Sequence, residues 1–237
     1  MRPIVPKVIR GVLLDVDGTL VDSNEAHARA WQEALREGGY DVSWARVRRL
    51  IGMGADKLVP LATGLAHSDV KARWIVRRRS ELFQGRELDT VRPLPRVRDL
   101  LLRMRGEGLR WEVATSARSA EVRPLLERAG VLDLVPLPPD EVKPSKPDPD
   151  VVHSALDRLG VPAREVVMLG DTPYDVEAAY EAHVASIAFR TGGWPDVQLA
   201  GAVAIYDGPW DLLARFGESV LKGKTAAREA KAVVAFR

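Results

Sequence analysis

The chain contains no cysteine among its 237 residues. Disulfide bonds, thiol nucleophiles and thiolate metal sites are therefore excluded, and a reducing compartment is permitted. No apolar run reaches the length of about 18 residues that a membrane-spanning helix needs, and the first residues lack the apolar segment of a signal peptide. We therefore expect a cytoplasmic protein without a membrane partner.

Histidine and charge of a single sign are also scarce. Four histidines occur, and their spacing is not that of a zinc site. The net charge is only +2, with arginine clusters at 46–49 and 77–79. Because no aromatic residues are interleaved with these clusters, we interpret them as solvated helix faces and do not expect a nucleic-acid partner. No feature of the sequence predicts an oligomeric state.

What the chain does have is an alternation of short apolar runs and helical patterns. The strand-like runs lie at residues 8–14, 111–114, 166–169 and 184–189. Helical spacing of apolar residues follows at 96–107, 120–129 and 149–159. Uniformly apolar runs of this length are typical of buried parallel strands, and their alternation with helices predicts βαβ units. We therefore predict an α/β fold with a Rossmann-like, doubly wound parallel sheet.

The interval between the first two strands is too long for a single βαβ unit, which takes about 30 residues. Amphipathic helical patterns separated by glycines fill it, at residues 26–37, 43–50, 56–62 and 69–83. We therefore predict a helical domain at 21–91 that is inserted into an α/β core of residues 1–20 and 92–217. The Lys/Ala-rich segment 218–237 is predicted to form a C-terminal tail.

Polar side chains follow three of the predicted strands. In chain order they are Asp15 with Asp17, Thr115 with Ser116, and Asp171 with Asp175. Ligands of open α/β sheets bind at the carboxyl ends of the strands, so we expect these groups to share one edge. Four carboxylates in a small volume repel one another, and a divalent cation resolves the repulsion. Oxygen ligands without nearby histidine or cysteine indicate Mg²⁺.

A lysine stands in the proline-rich segment Lys-Pro-Ser-Lys-Pro-Asp-Pro-Asp at 143–150. Pro147 favours an extended backbone at Lys146, and Asp148 and Pro149 predict the N-cap and first residue of the next helix. A lysine held beside carboxylates and a metal can bind a phosphate together with a charged nucleophile. We therefore add Lys146 to the candidate site.

These segments, in this order, resemble the four motifs of the haloacid dehalogenase (HAD) superfamily over residues 8–190. The motif residues are Asp15-Val16-Asp17-Gly18-Thr19, then Thr115, then Lys146-Pro147, then Gly170-Asp171 with Asp175. The helical insertion resembles the C1-type cap of the phosphoglycolate phosphatase and β-phosphoglucomutase branch. The resemblance implies a Rossmann-like core with an α-helical cap, Mg²⁺ as cofactor, and a small phosphorylated metabolite as substrate.

The resemblance also implies a role for each motif residue. Asp15 would be the nucleophile that forms an aspartyl-phosphate, and Asp17 the general acid and base. Thr115 would bind phosphoryl oxygens, and Lys146 would balance the negative charge. The implied metal ligands are Asp15, the backbone carbonyl of Asp17, Asp171 and Asp175. The candidate substrate-binding residues are Ser116, Arg118, His27 and Lys57.

Two alternatives to a phosphatase stay open at this point. His27 matches the hinge histidine of the β-phosphoglucomutases, which suggests a phosphomutase, although Ile51 and Ala55 stand where those mutases have basic cap residues. An inactive HAD scaffold that acts as a basic interaction protein is the alternative of another class. Haloacid dehalogenases lack an acid at the position of Asp17, so the resemblance favours phosphoryl transfer over carbon–halogen cleavage.

Overall fold

A computed structural model describes residues 4, 6, 8–140 and 144–222 of the chain. The strands are β1 (Gly11–Leu14), β2 (Val21–Asp22), β3 (Arg92–Pro93), β4 (Arg110–Val113), β5 (Val166–Gly170), β6 (Ala185–Phe189) and β7 (Ala204–Tyr206). The α-helices are α1 (Asn24–Glu37), α2 (Trp44–Leu50), α3 (Ala55–Thr63), α4 (Val70–Leu82), α5 (Val97–Gly106), α6 (Ser119–Arg128), α7 (Asp150–Leu159), α8 (Pro173–Glu181), α9 (Asp196–Leu199) and α10 (Pro209–Ala214).

Five strands form one sheet in the order β4-β1-β5-β6-β7, and all of its pairings are parallel. Side chains alternate between its two faces, as strand geometry requires. Val12 and Leu14 pack with the residues of α5 and α6, whereas Leu13 packs with those of α7 and α8. Helices therefore cover both faces, and the predicted α/β fold with a doubly wound parallel sheet is confirmed.

All four predicted strands are found in the sheet. The sheet also contains a fifth strand, β7, which the sequence did not predict. It has only three residues, two of them partly exposed, so its apolar run is too short to stand out from the flanking loops. A second difference concerns α7, which begins at Asp150 with Pro149 as its N-cap. The prediction that Asp148 caps this helix is wrong, because its carboxylate instead accepts a hydrogen bond of 2.5 Å from Lys57.

Helices α1 to α4 lie between β2 and β3, in the predicted helical insertion. Val21 pairs with Pro93 and Asp22 with Arg92 in an antiparallel ribbon, so residues 23–91 leave the core and return to it at one point. These residues are called the insertion. Its helices pack on one another around buried apolar side chains, among them Leu35, Leu58 and Ile75. The division into domains at 20/21 and 91/92 stays a prediction.

None of the described helices combines the length and the apolar composition that crossing a membrane requires. Most of the predicted C-terminal tail, from residue 223 onward, lies outside the described part of the chain.

Candidate active site

The loop after β1 carries the first two aspartates. The backbone N–H of Asp15 donates to the carbonyl of Leu169 at 3.0 Å, which holds Asp15 at the carboxyl end of β1. Gly18 then turns the chain with a φ of +71°, where a side chain would be strained. A Cβ at Gly18 would also lie 1.8 Å from Oδ2 of Asp171. The glycine therefore allows this loop to approach the third aspartate directly.

Lys146 joins two carboxylates from different parts of the chain. It is 2% exposed, and its Nζ donates to the carboxylate of Asp15 and, at 2.6 Å, to Oδ1 of Asp175. Burial alone would lower the pKa of Lys146, but the two carboxylates raise it above its usual range. Lys146 is therefore held as a cation between two acids that are 131 and 29 residues away in sequence.

Asp15, Asp171 and Asp175 each offer a carboxylate oxygen within 4.8 Å of the other two, and all three residues are buried. Burial raises the pKa of Asp15 to about 7, against the opposing charge of Lys146. Burial, followed by the charges of Asp175 and Asp15, also raises the pKa of Asp171 well above its usual range. The single positive charge of Lys146 is therefore insufficient to balance these three carboxylates when all of them are ionised.

The donor set fits a hard divalent cation. Oδ2 of Asp171 accepts a hydrogen bond of 2.6 Å from Asn24, whereas Oδ1 is buried without a partner among the described residues. A buried carboxylate oxygen without a donor is costly and indicates an absent ligand. The cluster offers only oxygen atoms, as Mg²⁺ prefers. Asp15 and Asp171 are thus the side chains that could hold the ion.

Asp175 has its oxygens engaged already. Oδ2 accepts from the Thr172 hydroxyl at 2.6 Å and from the backbone N–H groups of Thr172 and Asp171 at 3.0 and 3.2 Å. Thr172 and Asp175 form the capping box that begins α8. Oδ1 of Asp175 accepts a hydrogen bond from Lys146. Asp175 is therefore placed to position both Lys146 and the loop that carries Asp171.

Asp17 lies in a separate hydrogen-bond chain. Its Oδ1 accepts from Ser23 Oγ at 2.5 Å and faces His27 Nε2 at 2.7 Å, and Arg79 Nη2 is 2.6 Å from the other ring nitrogen. Because arginine only donates, Nδ1 is the acceptor and Nε2 carries the proton. Burial alone would raise the pKa of Asp17, but His27, Ser23 and Arg79 together lower it to about 2.

A cavity of about 590 Å³ opens beside these groups. Of the residues predicted from the sequence, those lining it are Asp15, Asp17, Thr115, Lys146, Ser116, Arg118 and His27. Thr115 also accepts a hydrogen bond of 3.1 Å from the backbone N–H of Ala117. Lys57 is directed instead to Asp148, with which it forms an ion pair.

The insertion forms the opposite wall of the cavity. Arg73, Arg77 and Arg79 of α4 line this wall together with His67, and none of these four was among the predicted site residues. The interpretation of 77–79 as a solvated face is wrong for Arg79, whose side chain is 13% exposed and pairs with Glu121 of α6 at 3.1 Å. Their helical spacing was visible in the sequence, but only the tertiary contacts show that this face meets the core.

The insertion also touches the segment that precedes Lys146. The backbone N–H of Gly54 donates to Ser145 Oγ at 3.0 Å, and that of Ser145 donates to Asp56 Oδ2 at 3.1 Å. A Cβ at Gly54 would lie 2.5 Å from Cβ of Ser145, so the contact needs a glycine. The insertion is therefore closed against the core in this structure.

Known proteins are similar to this chain over most of its length. A family model described as haloacid dehalogenase-like hydrolase matches residues 9–183. Phosphoglycolate phosphatase of Yersinia pseudotuberculosis is 36% identical over 193 residues, which cover 78% of this chain and 83% of that protein. N-acetylmuramic acid 6-phosphate phosphatase of Pseudomonas aeruginosa is 30% identical over 212 residues, with 86% and 93% covered.

The fold comparison agrees with the sequence comparison. The crystal structure of a hydrolase from Pseudomonas syringae superposes with a TM-score of 0.82 at 28% identity, covering 88% of this chain and 98% of that one. The resemblance to the HAD superfamily is thereby confirmed. The chain belongs to the haloacid dehalogenase-like hydrolases, as a phosphatase of that family.

Proposed function

We propose that this phosphatase uses Mg²⁺ and hydrolyses a small phosphorylated metabolite through a phosphoryl group carried on Asp15. The observation that carries the proposal is the buried carboxylate of Asp15, which lines the cavity, is held by Lys146 and lies within 4.8 Å of a carboxylate oxygen of Asp171. Oδ1 of Asp171 has no hydrogen-bond partner among the described residues. Mg²⁺ bound there would neutralise the crowded acids and draw charge from the phosphoryl oxygens.

In the first step, an oxygen of Asp15 forms a bond to phosphorus while the bond from phosphorus to the leaving oxygen breaks. Lys146 stabilises the negative charge, and Thr115 and Ser116 bind phosphoryl oxygens. An alkoxide leaving group needs a proton, which Asp17 supplies. The incoming phosphate adds negative charge beside Asp17, and this raises the pKa of Asp17 and favours its protonated form.

In the second step, water attacks the phosphoryl group on Asp15, and the Asp17 carboxylate takes the proton from that water. The bond between phosphorus and Asp15 breaks, and inorganic phosphate leaves. The hydrogen bonds from Ser23 and His27 favour the ionised form of Asp17 that this step requires. Asp171, Asp15 and the backbone carbonyl of Asp17 would hold the Mg²⁺, and Asp175 would support them.

We assign residues 21–91 to a cap domain over a core of 1–20 and 92–217. Closure of the cap excludes bulk water from the phosphoryl group, and opening releases the products. The phosphomutase alternative gains no support from Ile51 and Ala55, which line the cavity at the positions where a mutase would carry basic side chains.

The mechanism predicts different outcomes for two Asp→Asn variants with an aryl phosphate and Mg²⁺. D17N should release about one equivalent of aryl alcohol in a burst and then turn over about 10²–10⁴-fold more slowly than the wild type. The burst needs no general acid because the aryl oxygen is a good leaving group, but the phosphorylated Asp15 then lacks its base. D15N should show no burst. Stopped-flow absorbance measures both.

Asp22, an exposed aspartate on β2, provides the control, and D22N should behave as the wild type. Wild-type turnover no faster than that of D15N would refute the enzyme and favour the inactive-scaffold alternative. Full turnover by D17N would remove Asp17 from its assigned role. Isomerisation of a sugar phosphate without net phosphate release, in the presence of a bisphosphate, would identify a mutase.

A further inference from the structure

One continuous face of α4 lines the cavity opposite the reacting groups. Its lining residues are Arg73, Val76, Arg77 and Ser80, together with the deeper Arg79. The first four are spaced by three or four residues and therefore share one side of the helix. Arg73 and Arg77 therefore belong to the wall of the cavity in which a substrate must lie.

These two guanidinium groups are poorly neutralised. Nη1 of Arg73 donates to the backbone carbonyl of Ser68, and no described carboxylate lies within 4.0 Å of its charged nitrogens. Arg77 faces Glu81 at 3.7 Å, but both side chains are largely exposed, at 72% and 53%, so their attraction is weak. Arg79 differs, because Glu121 and His27 already bind it. The wall formed by α4 therefore carries positive charge, on Arg73 and Arg77, that is not balanced by strong ion pairs.

The position of the two arginines relative to the reacting groups follows from the helix. Arg79 is tied to Asp17 through His27, by contacts of 2.6 and 2.7 Å, and so marks the catalytic end of α4. Arg73 comes six residues earlier, which is about 9 Å along a helix axis. Arg73 and Arg77 thus lie on the turns of α4 that precede Arg79, away from the residue that is tied to Asp17.

The size and the walls of the cavity limit the ligand further. Its volume of about 590 Å³ lies within the range of about 300–1,000 Å³ that is usual for small-molecule sites. A two-carbon phosphate ester fills only a part of a cavity of this size. Ile51, Met53 and Val151 add apolar surface to the lining, against which the carbon skeleton of a sugar can pack.

We propose that the substrate is a phosphate monoester of sugar size that carries a second anionic group, and that Arg73 and Arg77 bind this group. The proposal rests on the proposed phosphatase function and specifies its substrate class. A carboxylate and a second phosphate offer the same chemistry to a pair of guanidinium groups. Both arginines are thus specificity residues that select the non-reacting end of the substrate.

The test compares four substrates at equal Mg²⁺. They are glucose 6-phosphate, gluconate 6-phosphate, fructose 1,6-bisphosphate and phosphoglycolate. For the wild type, kcat/KM should be at least about 10-fold higher for one of the two doubly anionic sugar phosphates than for glucose 6-phosphate, because charge-assisted hydrogen bonds discriminate by this amount or more. Which of the two is preferred separates a carboxylate from a second phosphate.

In the double variant R73Q/R77Q, the ratio of kcat/KM for the preferred doubly anionic sugar phosphate to kcat/KM for glucose 6-phosphate should fall to about one. R36Q is the matched control, since Arg36 is an exposed arginine of α1 that pairs with Glu33, and its ratio should stay at the wild-type value. An unchanged ratio in R73Q/R77Q overturns the proposal. So does a wild-type preference for phosphoglycolate or for glucose 6-phosphate.

Binding separates failure of this inference from failure of the phosphatase proposal. In the D15N background, calorimetry with gluconate 6-phosphate, fructose 1,6-bisphosphate and glucose 6-phosphate requires no turnover. At least one doubly anionic ligand should bind about 10-fold more tightly than glucose 6-phosphate, and R73Q/R77Q should remove the difference. Equal affinities overturn the substrate class even if the wild type hydrolyses an aryl phosphate. An inactive wild type with this binding pattern would instead refute the phosphatase mechanism alone.

Discussion

Replacing Lys146 by methionine is expected to lower the free energy of unfolding of the metal-free protein by about 3–5 kcal/mol. Lys146 is almost completely buried, and its ammonium group is bound by both Asp15 and Asp175. Methionine fills a similar volume but leaves these two carboxylates, and Asp171 beside them, without a cation. Breaking a buried ion pair on one side is costly because the remaining charge stays desolvated.

The same variant should lose at least about 10³-fold in turnover, because it lacks the positive charge to which we assign stabilisation of the phosphoryl group. Urea unfolding in the presence of a chelator measures the stability, and aryl phosphate hydrolysis measures the activity. Lys57→Met is the matched control. It also breaks a Lys–Asp pair, but the side chains of Lys57 and Asp148 are 32% and 39% exposed, so it should cost less than about 1 kcal/mol. Equal losses in the two variants would contradict this account of Lys146.

Replacing Asp171 by asparagine is expected to abolish the response of the protein to Mg²⁺ and to reduce turnover by at least about 10³-fold. The metal-free variant should nevertheless be as stable as the wild type or more stable. Burial and the charges of Asp175 and Asp15 oppose ionisation of Asp171 and raise its pKa, whereas asparagine carries no charge. Its amide oxygen can still accept the hydrogen bond that Asn24 donates.

Thermal unfolding with and without Mg²⁺ checks this prediction. A ligand that binds only the folded state stabilises it by about 2.7 kcal/mol at one hundred times its Kd, so the wild type should gain stability with Mg²⁺ and D171N should not. D148N, which changes an aspartate that pairs with Lys57, should keep the full response. Mg²⁺ stabilisation of D171N equal to that of the wild type would exclude Asp171 as a ligand.

Much of the core was visible in the sequence because its signals are local. β1 and β5 are fully buried on both faces, so they read as uninterrupted apolar runs, and each leads directly into aspartates. Since β1 and β5 are parallel neighbours, Asp15 and Asp171 must emerge at the same edge. Because ligands of open α/β sheets bind at this edge, the sequence alone predicts the position of the candidate site.

In the insertion, the surroundings of individual side chains could not be predicted from the sequence. The apolar spacing of α4 predicted a helix, but its arginines look alike in sequence. Arg78 pairs with Glu37 within the insertion, Arg79 is largely buried against Glu121 of the core, and Arg77 lines the cavity. These differences depend on which side of α4 meets the core, and neither propensity nor periodicity encodes that choice.

The sequence by itself determined the α/β class, the helical segment between the first two strands of the sheet and the candidate site residues, because strand composition, helical spacing and motif order are local properties of the chain. The tertiary structure alone decided their electrostatic environment. Lys146 reaches Asp15 across 131 residues, and Asp17 reaches Arg79 only through His27. Charge interactions depend on distance and burial in three dimensions, so only the packed structure separates the buried lysine from Lys57 and the cavity arginines from those on the surface.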